Sequence, residues 1–293
     1  MALTGNQPPP GWYPDPSGQP VARWWDGHTW TPATAPPPPP PAGATGSTAR
    51  TERRSPDLAN DSDRSSFPFA AVGLALGGAI IALFLISGLL QEIGQLLFPG
   101  STAMGILFGE VGLWIGLGGT CIVASRHFGT RSLVRDFGWR VRPVDLAYGV
   151  AAALACVLAA SVIGAAFIGT KFAGSNTSII TNQKGNTVGV AIVTVIAAVG
   201  APVFEELFFR GLLRQALASR LGVGAIWVQA LFFGLAHYQV GLGLGNVSVM
   251  LGTAGIGVVL GYTTSLTGRL GADTIAHGMF NLFVTLTIIG VVR

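Results

Sequence analysis

The chain contains 293 residues, of which 50% are hydrophobic and only 10% are charged, and its formal net charge is +4. A soluble domain of average composition carries roughly 25% charged residues. The composition therefore excludes an ordinary water-soluble globule and predicts a protein that is largely in contact with lipid.

The first 66 residues differ in composition from the rest of the chain. They hold 14 of the 18 prolines and 4 of the 7 tryptophans, and they contain no long apolar run. Residues 1–33 predict a small cytoplasmic module, because GWYPDP and RWWDGHTWT place aromatic side chains beside turn-forming residues, as in a hairpin. Residues 34–66 begin with a proline run and predict an extended, disordered linker. The Trp-rich segment resembles a short actinobacterial module of unknown function.

From Phe67 onward, apolar segments are long enough to cross the roughly 30 Å hydrocarbon core as helices. Residues 67–293 therefore predict an all-α polytopic membrane domain. The fourth segment contains Gly200 and Pro202, where a helix can break. The seven expected helices cover about residues 69–97, 102–125, 146–169, 188–210, 223–240, 246–266 and 270–291.

The distribution of lysine and arginine predicts the orientation of these helices. If the N-terminus is cytoplasmic, 14 of the 17 basic residues lie on the cytoplasmic side, and only Lys171, Lys184 and Arg293 lie outside. We therefore expect a multi-pass protein of the cell membrane with its N-terminus inside and its C-terminus outside. The Asn- and Thr-rich loop over residues 174–187 would then face the exterior. Since the basic residues lie at the ends of apolar runs, we expect the lipid bilayer as a partner and no nucleic acid.

Pairs of glycines four residues apart occur in three of the expected helices. Such pairs let two helix backbones approach closely, because no side chain lies between them. Glycine is also common in membrane helices for no packing reason, and we prefer this simpler interpretation. The pairs are Gly73 and Gly77, Gly112 and Gly116, and Gly257 and Gly261.

Ionisable residues inside a bilayer are costly and usually face the interior of the bundle, so they are the candidates for chemistry. Glu92 lies near a helix end and Glu110 has no patterned neighbours, and neither is assigned a role. On a helix, Glu206 and Arg210 are four residues apart and form an ion pair, whereas Glu205 points about 100° away. Glu205 is then a free carboxylate that can take a proton from water. The alternative is an ordinary interfacial ion pair with a spare acid.

Two histidines and an amide complete the candidate site. Glu205 and His237 each lie 16 residues from Leu221, at the expected turn, so their side chains can face each other about 24 Å from that turn. His277 and Asn281 are four residues apart and share a helix face. A carboxylate and a histidine can activate water, while an imidazole and an amide can stabilise an oxyanion. This is the chemistry of peptide hydrolysis by water.

The same side chains could instead bind a divalent metal such as zinc. Catalytic zinc sites combine three protein ligands with an open water position, and Glu205, His237 and His277 would be the ligands here. The chain has no HExxH motif, so spacing alone does not favour a metal. Both alternatives stay open at this point.

The motifs EE-x-x-x-R, F-x-x-x-H and H-x-x-x-N follow one another in the chain. In that order they resemble the CPBP family, the CAAX-protease and bacteriocin-processing intramembrane endopeptidases, over about residues 188–285. The resemblance implies an intramembrane endopeptidase, of a metal-dependent or glutamate-dependent type, that cleaves membrane-associated proteins or peptides. The motif residues are Glu205, Glu206, Arg210, Phe233, His237, His277 and Asn281.

The resemblance also implies a role for each motif residue. Glu205 would be the base that activates water, with assistance from His237. His277 and Asn281 would form the oxyanion site. The supporting residues Glu206, Arg210 and Phe233 would hold the helices in place.

Two other functions are consistent with the same residues. A bacteriocin self-immunity protein or membrane scaffold of this family would use the motif residues for packing, without proteolysis. A proton-coupled transporter would use the buried glutamate and histidine side chains to relay protons. Paired broken helices would support transport, and only the Gly200–Pro202 stretch indicates one.

Overall fold

The computed structural model describes residues 8–17, 19, 21–35 and 67–291. The chain divides into two compact units, Met1–Pro56 and Asp57–Arg293. The expected linker over residues 34–66 lies outside the described residues, apart from its first two positions. Its disorder therefore stays a prediction.

The first unit contains a three-stranded antiparallel sheet in the order β1 (Gly11–Pro14), β2 (Ala22–Trp25) and β3 (Trp30–Ala35). Trp12 lies opposite Trp24, with ring centroids 5.4 Å apart, and Trp25 lies opposite Trp30, with centroids 5.2 Å apart. Cross-strand aromatic pairs of this kind stabilise small sheets. The expected aromatic hairpin is therefore present, with a third strand added to it.

Asp15 connects the turn after β1 to β2. Its carboxylate accepts hydrogen bonds from Arg23 Nη2 at 2.9 Å and from the Ser17 backbone N–H at 2.8 Å. The bonds from Arg23, followed by those from Ser17, hold the pKa of Asp15 below its ordinary value, because they stabilise the ionised form.

This arrangement predicts an acid-sensitive module. A carboxylate with a lowered pKa in the folded state stabilises the fold above its unfolded-state pKa, and this contribution is lost as pH falls through the folded-state pKa. We expect the module to lose stability as the pH drops below about 4, near the ordinary pKa of aspartate. Hydrogen exchange of the β2 amides in the full-length protein, corrected for intrinsic rates, measures this loss.

The control for the acid effect is Asp15→Asn, which removes the titrating group. The variant should be less protected at pH 6 and should lose less protection between pH 6 and pH 3. The pKa of Asp26 is also lowered, by backbone hydrogen bonds from Thr29 and His28. Asp26 therefore accounts for the loss of protection that the variant still shows at low pH. Parallel losses in the wild type and the variant would contradict the role given to Asp15.

The second unit is built of helices throughout residues 67–291. Short turns or loops connect most of them, and a longer loop joins α4 to α5. In chain order the helices are α1 (Ala71–Leu97), α2 (Thr102–Phe128), α3 (Leu133–Phe137), α4 (Val144–Ala165), α5 (Ser178–Thr181), α6 (Thr187–Leu221), α7 (Gly224–Leu235), α8 (Asn246–Thr267) and α9 (Gly271–Ile288).

Five of the described helices are long and apolar enough to cross a membrane: α1, α2, α4, α6 and α8 with its preceding turn. All seven segments expected from the sequence are helical, but α7 has only 12 residues and α9 is not among the five. The polytopic all-α fold is confirmed. The count of seven crossings and the N-in, C-out orientation stay predictions.

The outer surface of the helical unit is apolar. Phe84 and Leu85 of α1 and Leu154 and Leu158 of α4 are each more than 60% exposed. A continuous apolar surface of this kind is unfavourable in water and suits a lipid environment. Inside, α7 packs along α8, α4 packs along α8 and α9, and α1 packs along α2.

Helix α6 does not break at Gly200 and Pro202, as the sequence had allowed. It continues through two π-helical stretches, Ile196–Gly200 and Glu206–Leu213, which flank Glu205. A proline lacks the N–H that α-helical bonding requires, and a locally widened turn accommodates this loss. The helix then ends at Gly222, whose positive φ of 52° suits glycine. The next helix begins at Gly224, so α6 and α7 are antiparallel neighbours, as expected.

Arg269 has a structural partner beyond its expected role as an orientation signal. It follows Gly268, which ends α8, and its Nε donates to Asp145 Oδ1 at 2.7 Å. Asp145 is fully buried in the first turn of α4. This ion pair therefore ties the start of α4 to the turn between α8 and α9.

Two of the three glycine pairs lie at close helix contacts. A Cβ on Gly112 would lie 2.8 Å from the Ile86 carbonyl oxygen of α1, and a Cβ on Gly257 would lie 3.0 Å from Ala230 Cα of α7. Around Gly73 and Gly77 nothing lies within 4 Å. The simpler interpretation, that the glycines have no packing role, is therefore wrong for the pairs that contain Gly112 and Gly257. It is correct for Gly73 and Gly77.

Replacing Gly112 with alanine should separate α1 from α2. The new Cβ meets backbone atoms, which cannot move aside as a side chain can. We therefore expect the free energy of unfolding to fall by about 1–3 kcal/mol, which is typical of overpacking. Gly77→Ala is the matched control, because its Cβ enters open space. Thermal unfolding in detergent should show a lower midpoint for Gly112→Ala only. Equal midpoints for the two variants would contradict the close contact.

Candidate active site

A cavity of about 620 Å³ opens inside the helical unit. Helices α1, α2, α4, α6, α7, α8 and α9 and the segment around residues 174–180 contribute to its wall. Five of the candidate residues line it, whereas Glu206 and Arg210 are fully buried behind the wall. The lining candidates are Glu205, Phe233, His237, His277 and Asn281.

Glu206 is held in a buried cluster with Arg210 and His277. Arg210 Nη1 donates to Glu206 Oε1 at 3.0 Å, and His277 Nδ1 donates to the same oxygen at 2.8 Å. The guanidinium of Arg210 also lies 4.2 Å from the centre of the Phe233 ring. The ion pair predicted for Glu206 and Arg210 is present, and His277 joins it. Such partners are required because an uncompensated buried charge is strongly destabilising.

Glu205 faces the cavity instead. Its side chain is 14% exposed, and its buried Oε2 accepts no hydrogen bond from the described residues. His277 Nε2 lies 4.0 Å from Glu205 Oε2. Two consecutive residues thus differ: the Glu205 carboxylate faces the cavity, and the Glu206 carboxylate is paired with Arg210.

His237 lies two residues beyond the end of α7, which is shorter than the sequence indicated. The ring nitrogen Nδ1 lies 2.8 Å from the carbonyl oxygen of Phe233, one turn earlier. Because a carbonyl only accepts hydrogen bonds, Nδ1 carries the proton, and in the neutral ring Nε2 is left with a free lone pair. The F-x-x-x-H spacing therefore fixes both the direction and the tautomer of His237.

The ring of Phe233 contacts both histidines. Its centroid lies 4.8 Å from that of His237 and 5.9 Å from that of His277, in edge-on arrangements. The Arg210 guanidinium lies on its face, so this one ring contacts the guanidinium and both imidazoles. Phe233 therefore contacts three residues of the site, and its supporting role stays a prediction.

Asn281 also lines the cavity, one turn after His277. Its Nδ2 donates to the Ala197 carbonyl oxygen at 2.7 Å, within the first π-helical stretch of α6. An amide nitrogen has two hydrogens, so one N–H is left for another acceptor. His277 Nδ1 is already used by Glu206, so any hydrogen bond from His277 to an acceptor in the cavity requires a proton on Nε2 as well.

The alternative metal site does not fit this geometry. A tetrahedral zinc site needs three protein ligands placed around one point. Within the described ranges, no group of three His, Cys, Asp or Glu side chains is placed to hold a metal ion. Glu205, His237 and His277 as arranged therefore do not form the predicted ligand set.

The sequence analysis gave no role to two acidic residues of this region. Glu110, which was assigned no role, lines the cavity together with Glu205, whereas Glu92 is exposed and lies outside it. Asp273 is fully buried and accepts a hydrogen bond from Thr264, which joins α9 to α8. Asp273 precedes His277 by four residues, and this spacing could have indicated its position. No local signal marks Glu110.

The polar segment near residue 175 closes one end of the cavity. Gln239 Nε2 donates to Asn176 Oδ1 at 2.7 Å, and the Gly174 backbone N–H donates to Ser248 Oγ at 2.8 Å. These bonds join the loop after α4 to the loop after α7 and to the first turns of α8. The sequence had assigned this segment only to the exterior.

Comparison with known families agrees with the motif positions. Residues 187–283 match the family model described as type II CAAX prenyl endopeptidase Rce1-like. This segment is similar to that family, and we call it the Rce1-like domain. It covers 97 of the 293 residues and includes α6, α7, α8 and most of α9. All seven motif residues lie in the Rce1-like domain.

The N-terminal unit matches a second family model, which is described as a protein of unknown function (DUF2510), over residues 10–43. This range contains β1, β2 and β3. No curated protein matched the chain, and no solved structure did.

The buried cluster predicts non-additive mutational effects. Glu206→Gln leaves the Arg210 cation without its carboxylate. We therefore expect the free energy of unfolding to fall by about 3–5 kcal/mol. The double variant Glu206→Gln, Arg210→Met removes both charges of the ion pair. Its loss of unfolding free energy should be smaller than the sum of the losses in the two single variants. Thermal unfolding in detergent measures all three variants. Additive losses would show that the two side chains do not act as a pair.

Proposed function

We propose that the protein is an intramembrane endopeptidase that hydrolyses peptide bonds of membrane-associated proteins or peptides. The Rce1-like domain supports the reaction class. The observation that carries the proposal is the contrast between two adjacent carboxylates: Glu206 is paired in the protein, whereas Glu205 faces a cavity that His237 and His277 also line.

Water activation is assigned to Glu205 and His237. A water in the cavity donates one hydrogen to the Glu205 carboxylate and the other to Nε2 of His237. Glu205 removes its proton as the water oxygen attacks the carbonyl carbon of the scissile bond. We assign this step to Glu205 rather than to a metal ion, because the described side chains include no three-ligand group.

The tetrahedral intermediate then carries a negative oxygen. The free N–H of Asn281 and the Nε2–H of His277 are its proposed donors, and the His277 donor is the imidazolium form, because Nδ1 is held by Glu206. When the intermediate collapses, the C–N bond breaks and Glu205 returns its proton to the leaving nitrogen. The products are one new carboxyl group and one new amine.

Glu206, Arg210 and Phe233 act as positioning residues in this proposal. They hold the rings of His237 and His277. Glu206 and Arg210 lie behind the cavity wall, whereas Phe233 lines the cavity. Helix α6 is continuous across Gly200–Pro202, so the feature that had favoured a transporter is absent from the described helix. A location in the cell membrane with a cytoplasmic N-terminus remains part of the proposal.

Replacing Glu205 with glutamine should abolish cleavage. The substitution keeps the shape of the side chain and removes the base, so we expect a loss of at least about 100-fold in kcat/KM. His237→Ala should lower the rate as well. A comparison of membrane-protein termini in cells that express the wild type or Glu205→Gln identifies the substrates, and purified protein in lipid vesicles then gives the rates.

Glu92→Gln is the matched control, since Glu92 is exposed and lies outside the cavity. It should cleave at the wild-type rate. If Glu205→Gln retains the wild-type set of termini and the wild-type rate, Glu205 is not the base. If the wild type itself produces no termini that an empty vector lacks, the scaffold or immunity alternative is favoured.

A further inference from the structure

Glu110 is a carboxylate of the cavity that the proposed mechanism does not use. It is the ninth residue of α2, a helix that can cross the membrane, and it lines the cavity together with Glu205. Within the described chain it has no hydrogen-bond or ion-pair partner. A carboxylate in a largely apolar environment is costly unless an opposite charge or a donor satisfies it.

The position of Glu110 relative to Glu205 follows from helix packing. Trp114 is four residues after Glu110 and shares its helix face. The Trp114 ring stacks on Phe204, the neighbour of Glu205, with centroids 5.5 Å apart and an interplanar angle of 6°. The face of α2 that carries Glu110 therefore packs against the part of α6 that carries Glu205.

The cavity wall carries more negative than positive charge. Among the described residues that line it are two carboxylates, Glu110 and Glu205, and no lysine or arginine. Arg210 is buried behind the wall, and its charge is compensated by Glu206. The proposed His277 imidazolium offsets one of the two carboxylates, and the remaining negative charge within low-dielectric walls favours a cation.

The wall near Glu110 also suits a long side chain. Leu83, Leu113 and Leu117 line the same cavity with apolar surface. Lysine and arginine can place their methylene groups against such a surface while the charged end reaches a carboxylate. A free ammonium at a peptide N-terminus has no such stem.

We propose that Glu110 forms a specificity subsite that binds a lysine or arginine side chain of the substrate close to the scissile bond. The subsite rests on the proposed peptidase function, because it selects the peptides that reach Glu205. It gives the substrates a chemical class: membrane-associated segments with a basic residue beside the cleavage site.

The first experiment determines the preference without assuming a substrate. Purified full-length protein in detergent is incubated with a proteome-derived peptide library, and the products are sequenced by mass spectrometry. Cleavages that are absent with Glu205→Gln define the true sites. We expect lysine and arginine to be enriched several-fold at one position within about three residues of the scissile bond.

The second experiment assigns the preference to Glu110. Matched peptides carry lysine, methionine or glutamate at the enriched position, and the ratio of their kcat/KM values is measured for each variant. The wild type should favour lysine over methionine by roughly tenfold, as for a charged hydrogen bond. Glu110→Gln should bring this ratio near one, and Glu110→Lys should favour glutamate. Glu92→Gln is the control and should keep the wild-type ratio.

The ratio of two substrates on one preparation does not depend on the folded fraction, so partial misfolding of a variant does not obscure the result. An unchanged ratio in Glu110→Gln, no enrichment of basic residues, or enrichment of free N-termini alone would overturn the subsite while the peptidase stands. Identical product sets for the wild type and Glu205→Gln would overturn the proposed function, and the subsite with it.

Discussion

A charge inside a hydrocarbon layer must be compensated by a neighbouring group. In this protein one carboxylate oxygen, Glu206 Oε1, pairs with groups from two helices. Glu206 Oε1 accepts hydrogen bonds from Arg210 of its own helix and from His277 of α9. This atom therefore fixes the rotation of α6, the position of α9 and the orientation of the His277 ring together. The rest of the site depends on it, because His277 Nε2 faces the cavity only while Nδ1 is held.

The two consecutive glutamates obtain different environments from helix geometry alone. Neighbouring residues on a helix point about 100° apart, so one carboxylate can be directed into the protein while the next faces a cavity. Phe233 reinforces this division, since its ring lies against the buried guanidinium and its carbonyl oxygen orients His237. Two identical side chains thus differ in what they can do: Glu206 holds the structure together, and Glu205 is available for chemistry.

The sequence predicted the contacts that depend on short spacing and the helices that meet at the cavity, but it missed other contacts between distant segments. The four-residue spacings of Glu206 with Arg210 and of Phe233 with His237 are set by the turn of a helix, and the structure places both pairs in contact. Glu110 could not be assigned in this way, because the residues that share its cavity come from segments far away in the chain. The close contact at Gly112 was missed for the same reason: a glycine pair does not indicate which backbone approaches it.

The two π-helical stretches of α6 have a consequence for how related chains can vary in length. A π-helical turn contains one more residue than the α-helical turn it replaces, so it amounts to a built-in insertion. Deleting one residue from Ile196–Gly200 would restore an α-helical turn and leave Glu205 and Glu206 at nearly the same rotation about the helix axis, because a full turn is kept. The Ala197 carbonyl oxygen that holds Asn281, however, would return to helix bonding, and Asn281 would lose its acceptor. A one-residue gap in this stretch should therefore be tolerated far less well in related chains than a gap in the loops.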